Sequence, residues 1–259
     1  MELNRIYNED CLDWMNRAEE GSVDLVLTSP PYNTARGGSL ANHDGRYESY
    51  DDNMSNEDYI AWTIRLFEGF DKVLSKNGCV LYNLSYGAEN TELMYLTIAD
   101  LIRNTGFTIA DTLIWKKKSA LPNNTSTNKL TRICEFVFVL CRKNELGTFR
   151  CNKALTKVSG TGQNYYENIF NFFEAPNNDG SCDIHKATFS TLFVRKLLNI
   201  YALGGGRMIV YDPFMGTGTT AIGCIQEKLE WVGTEISARY CEYANNRIEI
   251  AQQDSLTLF

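Results

Sequence analysis

Apolar residues fall along this chain in short bursts of strand length that alternate with stretches of helical period. Near the end of the chain, 207–211 reads as a strand stopped by Asp212-Pro213. Glycines at 216 and 218 follow, then a helical pattern over 219–228. A second strand, 230–234, ends at Glu235 and leads into a helix over 237–251 with Ser237 placed as its N-cap. The head of the chain repeats this rhythm: strand 4–7 ending at Asp10, helix 11–18, and buried strand 23–27 ending at Thr28-Ser29-Pro30-Pro31-Tyr32. Helix 55–74, strand 79–84, helix 90–103 and strands 107–116 and 133–141 complete the alternation. Strands interleaved with helices predict an α/β fold, a mainly parallel sheet covered on both faces.

Three segments break the rhythm. A polar loop over 33–56, long for a mere connection, suits a lid, with Tyr47 and Tyr50 able to close over a ligand; His43 is read as a plain loop residue. The other two, 119–131 and 144–183, mix basic residues with Tyr165, Tyr166, Phe170, Phe172 and Phe173. The expected division is a catalytic and cofactor-binding domain, 1–116 with 184–259, and a recognition insert, 117–183.

Composition narrows the class. Of 259 residues, 44% are hydrophobic and 22% charged, and no apolar run approaches the ~20 residues of a membrane span. A globular protein with no membrane partner is expected, cytoplasmic because the N-terminus lacks a signal-peptide layout. Eight cysteines without a CxxC pair, and two histidines, predict reduced thiols and no metal site. Net charge is −7, yet residues 112–166 hold ten basic side chains against two acidic ones, a local +8 that leaves −15 elsewhere. Such segregation is the footprint of a polyanion-binding surface on a body that otherwise repels one.

The run Asp212-Pro213-Phe214-Met215-Gly216-Thr217-Gly218-Thr219-Thr220-Ala221 holds G-x-G-x-x-A between a strand and a helix, with Glu235 19 residues beyond Gly216. Glycines there admit a ligand close to backbone, and the acid can accept from ribose hydroxyls. A dinucleotide would set its pyrophosphate against Asp212. S-adenosylmethionine has no phosphate and offers a cationic sulfonium and amino group, so it suits Asp212 and Glu235 better. Asp10 is expected as a third carboxylate on this edge, accepting from the adenine amino group, although Asp10 and Asp212 also suit plain turn caps.

Thr28-Ser29-Pro30-Pro31-Tyr32 ends an apolar strand at the carboxyl edge, where α/β sheets bind ligands. The prolines fix the backbone and turn carbonyls away from regular pairing. An exocyclic amino group is a poor nucleophile because its lone pair is delocalised into the base. A hydroxyl and a carbonyl accepting its N–H bonds favour the rehybridised nitrogen. Tyr32 offers a face for a flat base. Carbon-5 methylation is excluded, since no proline here precedes a cysteine.

Together these runs resemble the β group of DNA amino-methyltransferases, in which the catalytic motif precedes the cofactor motif. Asn8-Glu9-Asp10-Cys11-Leu12 resembles the group's adenine-binding motif, Gly233-Thr234-Glu235 its ribose-binding acid, and Ile114-Trp115-Lys116-Lys117 and Cys134-Glu135-Phe136-Val137 its central strands. His185-Lys186-Ala187-Thr188-Phe189-Ser190 is similar to the segment under the cofactor's methionine part, with Lys186 where the family usually has proline.

The resemblance implies a circularly permuted Rossmann-like methyltransferase sheet in which strand 207–211 lies beside strand 23–27. It implies S-adenosylmethionine as cofactor, held by Asp10, Cys11, Thr28, Asp212, Pro213, Phe214, Gly216, Thr217, Gly218, Thr219, Thr220, Glu235, His185 and Phe189. Ser29, Pro30, Pro31 and Tyr32 form the implied catalytic motif. Double-stranded DNA is the implied partner, met by Lys116, Lys117, Lys118, Arg132, Arg142 and Lys143; a homodimer and a cognate restriction endonuclease are left open.

Ser29 is typical of N4-cytosine enzymes, while Asn33-Thr34 after the tyrosine is associated with N6-adenine enzymes, so cytosine is the expected target and adenine the alternative. Methylation of RNA or protein amides usually goes with the cofactor motif first, and here it comes last. A nucleic-acid binder with an inactive site is the remaining alternative.

Overall fold

The computed structural model describes residues 1–33, 54–87, 90–120, 122–124, 127–180, 188–203 and 207–257. Its elements run β1 (Arg5–Tyr7), α1 (Cys11–Arg17), β2 (Val23–Thr28), α2 (Asn56–Val73), β3 (Leu74–Leu84), α3 (Leu93–Asn104), β4 (Phe107–Lys117) and β5 (Cys134–Arg142). After a 3-10 turn at Lys143–Glu145 come β6 (Leu155–Val158), β7 (Asn164–Tyr166), β8 (Phe172–Ala175), α4 (Thr191–Tyr201), β9 (Ile209–Asp212), α5 (Thr219–Gln226), β10 (Glu230–Thr234) and α6 (Ala238–Thr257).

Eight strands form one sheet in the order β1-β10-β9-β2-β3-β5-β4-β8, parallel throughout except for β5; β6 and β7 pair as a separate ribbon. As expected, the tail-half strand β9 lies beside the head-half strand β2, with Leu25 opposite Val210 and Val26 opposite Tyr211. This is the circularly permuted Rossmann-like sheet.

Side-chain alternation explains why both faces need cover. Leu25, Leu27 and Leu81 join a core with Phe193 and Leu197 of α4, Ala221 and Ile222 of α5 and Ala244 of α6. Val26, Val80 and Tyr82 point the other way and pack with Trp14 of α1, Phe67 and Phe70 of α2 and Ile98 of α3. The head half therefore covers one face and the tail half the other. Trp14 stacks on Tyr211 at 4.4 Å, and Asp24 accepts from the Ile209 N–H at 2.8 Å, fastening the halves across the β2–β9 seam.

Within residues 117–183, β5 sits between β3 and β4 and β8 extends the same sheet beyond β4. Only the stretch around the exposed β6–β7 ribbon leaves the sheet. Helix α4 was not expected; Ser190 caps it, accepting from the Phe193 N–H at 3.2 Å, and Phe193, Val194, Leu197 and Leu198 form its buried stripe. Much of the polar loop, with His43, Tyr47 and Tyr50, and the segment holding His185 and Lys186 lie outside the described residues.

Candidate active site

Parallel strands leave their carboxyl ends, and the loops that follow them, on one edge of the sheet. There β1, β2, β9 and β10 open onto a cavity of about 290 Å³. Glu9, Asp10 and Cys11 line it after β1, Ser29 and Pro31 after β2, Pro213 to Thr217 and Thr219 after β9, and Glu235 to Ser237 after β10; Trp62, Thr188 and Phe189 close it. The hydroxyl of the head half and the glycine turn of the tail half therefore share one space.

Glu235 builds the turn. Its Oε2 accepts from the Gly216 N–H at 2.9 Å and its Oε1 from the Ser237 N–H at 2.8 Å, which ties the turn after β9 to the start of α6. Gly218 follows with φ +83, a left-handed conformation that suits glycine, and a side chain there would meet Ala244. Ser237 caps α6 as expected, accepting from the Tyr240 N–H at 3.2 Å. Asp10 lines the cavity and also caps α1, accepting from the Leu12 N–H at 2.7 Å.

Asp212 does not face the cavity as expected. It is 1% exposed and accepts from the Thr28 hydroxyl at 2.9 Å, the Phe214 N–H at 3.0 Å and the Thr220 hydroxyl at 2.5 Å. Burial pushes its pKa from 3.8 up to about 6; Glu235 adds to the rise, and the three hydrogen bonds oppose it. Thr28, Asp212 and Thr220 thus brace the turn from beneath, and neither they nor Gly218 line the cavity. The Cys11 thiol, which does, is held far above its ordinary pKa by burial, with Asp10 and Glu235 beside it. No thiolate is on offer there.

Behind Ser29 lies a polar cluster that the sequence reading missed. The Tyr32 hydroxyl lies 2.9 Å from Ser29 Oγ and donates to Glu135 Oε2 at 3.0 Å. Asn83 Nδ2 donates to the Tyr32 oxygen at 2.6 Å and to Glu135 Oε2 at 2.8 Å, while Lys117 pairs with Glu135 Oε1. Pro31 is fixed from its other side, its carbonyl accepting from the Tyr59 hydroxyl at 2.8 Å.

The order of protons in this cluster follows from its end. An ionised carboxylate only accepts, so the Tyr32 O–H points to Glu135 and the Ser29 O–H points to Tyr32. Ser29 Oγ, its proton committed to Tyr32, is left as an acceptor, with the Asn83 amide 3.4 Å away on the inner side. Asn83 (2% exposed) and Glu135 (7%) were visible in the sequence as single polar residues in apolar strands, positions that demand a partner.

The basic residues divide by edge. Lys116, Lys117, Lys118 and Arg132 lie at the site edge, since Lys116 stands opposite Cys134 at the ends of β4 and β5. Lys116 pairs with Glu174 at 2.5 Å, Arg132 bonds the Tyr86 carbonyl and lies over its ring, and Lys118 is exposed. Arg142 and Lys143 do not join them, because β5 runs antiparallel and carries them to the opposite edge. There Arg142 holds Asp71 and the carbonyls of Leu74 and Ser75 at 2.9 Å, and Lys143 donates to the last carbonyls of α3, Ile102 and Thr105, at 2.7 Å.

The sequence profile of the N6/N4 methyltransferases, described as DNA methylase, matches residues 23–246. The chain belongs to this DNA methylase family. It is 24% identical to the type II methyltransferase M.Cfr9I of Citrobacter freundii over 96% of this chain and 89% of that one. Its fold is similar to that of the PvuII DNA methyltransferase, titled cytosine-N4-specific (TM-score 0.69, 17% identity, 97% and 92% of the two chains). It is also similar to that of the M1.HpyAVI–SAM complex (TM-score 0.60, 21% identity, 94% and 98%). Among the described residues of this methylase no helix is long and apolar enough to cross a membrane.

Proposed function

We propose that this methylase transfers a methyl group from S-adenosylmethionine to the N4 amino group of a cytosine flipped out of double-stranded DNA. The observation that carries the reading is the meeting of Ser29 Oγ, left as an acceptor by the chain through Tyr32 to Glu135, with the glycine turn after β9 in one cavity. The residues present fit the donor. Asp10 suits the adenine amino group and Glu235 the ribose hydroxyls, the acidic lining suits a cationic ligand, and Trp62, Phe214 and Ile236 offer apolar surface to an adenine ring. When bound, the donor supplies a methyl group on a cationic sulfur that leaves as a neutral thioether.

The chain's own residues do the rest. Ser29 accepts an N–H of the base and holds the amino group in line, and charge developing on nitrogen as the N–C bond forms is stabilised through Ser29 and Tyr32 toward Glu135. The departing proton has a hydrogen-bonded route along the same chain. Carbon-5 chemistry would instead need a thiolate as nucleophile, and burial holds the Cys11 thiol in its protonated form.

Cytosine is supported by Ser29 and by the cytosine-N4 specificity named for the PvuII enzyme, one of the fold's solved neighbours. Asn33, which pointed toward adenine, has a structural employment: its amide bonds the backbone N–H and carbonyl of Met54, both at 2.8 Å. The exposed Lys118, with Lys116 and Arg132 nearby, is proposed to meet phosphate on the same edge. The test is to methylate unmodified DNA with labelled donor, digest it to nucleosides and identify the labelled one. Label in N4-methylcytosine is expected. Label in N6-methyladenine would overturn the base assignment, and unlabelled DNA the reading as a whole.

A further inference from the structure

A second hollow of about 80 Å³ adjoins the main cavity, and Thr188, Phe189, Thr217 and Thr219 line both. Its remaining walls are Asp179, Gly180, Tyr243 and Arg247. Arg247 reaches it from α6, and among the described residues lining either space it is the only cation.

Its guanidinium is engaged mainly at one tip. Nη1 donates to the Thr217 carbonyl at 2.6 Å and lies 3.2 and 3.3 Å from the hydroxyls of Thr217 and Thr219. Nη2 is 3.5 Å from Asp179 Oδ2, well beyond the ~2.7–2.9 Å of a formed charge-assisted bond. Asp179 has little need of it, since its carboxylate already takes the Thr191 N–H at 2.8 and 3.0 Å and the Thr191 hydroxyl at 2.5 Å. The Arg247 side chain is 25% exposed. One edge of the fork is therefore anchored to the glycine turn while another is loosely held.

This matters because the proposed donor is a zwitterion at its methionine end. Its α-carboxylate hangs from the same carbon as the ammonium, and the acids of the main cavity, Glu9, Asp10 and Glu235, offer it no partner. Thr188 and Phe189, from the segment that resembles the one under the methionine part, line both spaces, so the hollow with the cation adjoins the end where that carboxylate would lie.

We propose that Arg247 is the carboxylate's subsite: it takes the donor's α-carboxylate into the smaller hollow, its fork turning from Asp179 to the ligand. The inference rests on the assignment of the main cavity to S-adenosylmethionine. It makes Arg247 a binding residue that ties α6 and the glycine turn to the ligand in one contact.

The test measures binding by calorimetry with the full chain. The ligands are S-adenosylmethionine, S-adenosylhomocysteine and decarboxylated S-adenosylmethionine, each titrated into wild type, R247K and R247Q. Wild type should bind the two carboxylate ligands about tenfold to a hundredfold tighter than R247Q does, the range expected for losing a bond to a charged group. R247K should fall between them. The decarboxylated ligand should bind wild type and R247Q alike.

Equal losses for all three ligands would overturn the proposal by showing that Arg247 only shapes the turn, and so would no loss for any. If R247Q fails to fold, wild type and R247K decide the matter: their affinities must diverge for the carboxylate ligands and agree for the decarboxylated one. Wild type binding none of the three would overturn the cavity assignment, and the proposal with it.

Discussion

Asp212→Asn isolates the energetics of the seam beneath the glycine turn. The carboxyl is 1% exposed, and its pKa rises from 3.8 to about 6 chiefly through burial. An unfolded chain gives up this proton near pH 4, whereas the folded one keeps it to about pH 6. The contribution of Asp212 to stability is therefore fully present below pH 3.8 and is lost as pH rises through 6. At ~1.4 kcal/mol per unit the whole loss is about 3 kcal/mol, of which roughly 1 kcal/mol falls between pH 5 and pH 7.

Asparagine keeps the shape and titrates nothing. Its oxygen can still accept from Thr28 and the Phe214 N–H, and the Thr220 hydroxyl can rotate to accept from its amide. Urea unfolding of both proteins, followed by tryptophan fluorescence from pH 5 to 8, gives the difference directly, with contributions from other carboxylates cancelling. Wild type should lose roughly 1 kcal/mol relative to D212N from pH 5 to 7 and then run level with it. A difference that stays flat, or that favours wild type as pH rises, would refute the account of Asp212 as a buried acid carried at a cost.

The other predictions concern the site and its rim. E135Q should lower kcat by ~10²-fold because the amide no longer dictates the proton order at Tyr32 and Ser29; cofactor affinity, by titration, should stay within about twofold, and a parallel fall would remove Glu135 from its positioning role. G218A should cost ~1–2 kcal/mol in thermal unfolding and weaken cofactor binding, since φ +83 is strained for alanine and its Cβ would stand 3.1 Å from that of Ala244. K118A should weaken DNA binding and reduce its salt slope by about 1. By contrast R142A should cost about 2 kcal/mol of stability in urea, from its lost bonds to Asp71, Leu74 and Ser75, with DNA affinity unchanged.

Much of this molecule was legible in the chain itself, because local signals carry it. Strand 230–234 has the bounds that its pattern predicts and Ser237 caps α6, whereas the adjacency of β9 and β2 came only as an implication of the family resemblance. The glycine turn and the proline-braced Ser29 are likewise short runs whose backbone chemistry is self-contained. Helix α4 shows the limit of reading by eye, since its cap and apolar stripe were present in the sequence and were passed over.

What the sequence could not settle depends on distance and direction. Arg142 and Lys116 look alike in a charge count, and only the antiparallel course of β5 sends one to the far edge and leaves the other beside the site. Glu135 lies 103 residues from Tyr32, and Asp179 and Arg247 lie on separate elements, so no window along the chain holds both partners. Asp212 read as a ligand to a cation because its charge was visible and its burial was not. Local backbone preference is written residue by residue; which side chains share a low-dielectric space is decided only when the sheet closes its two halves together.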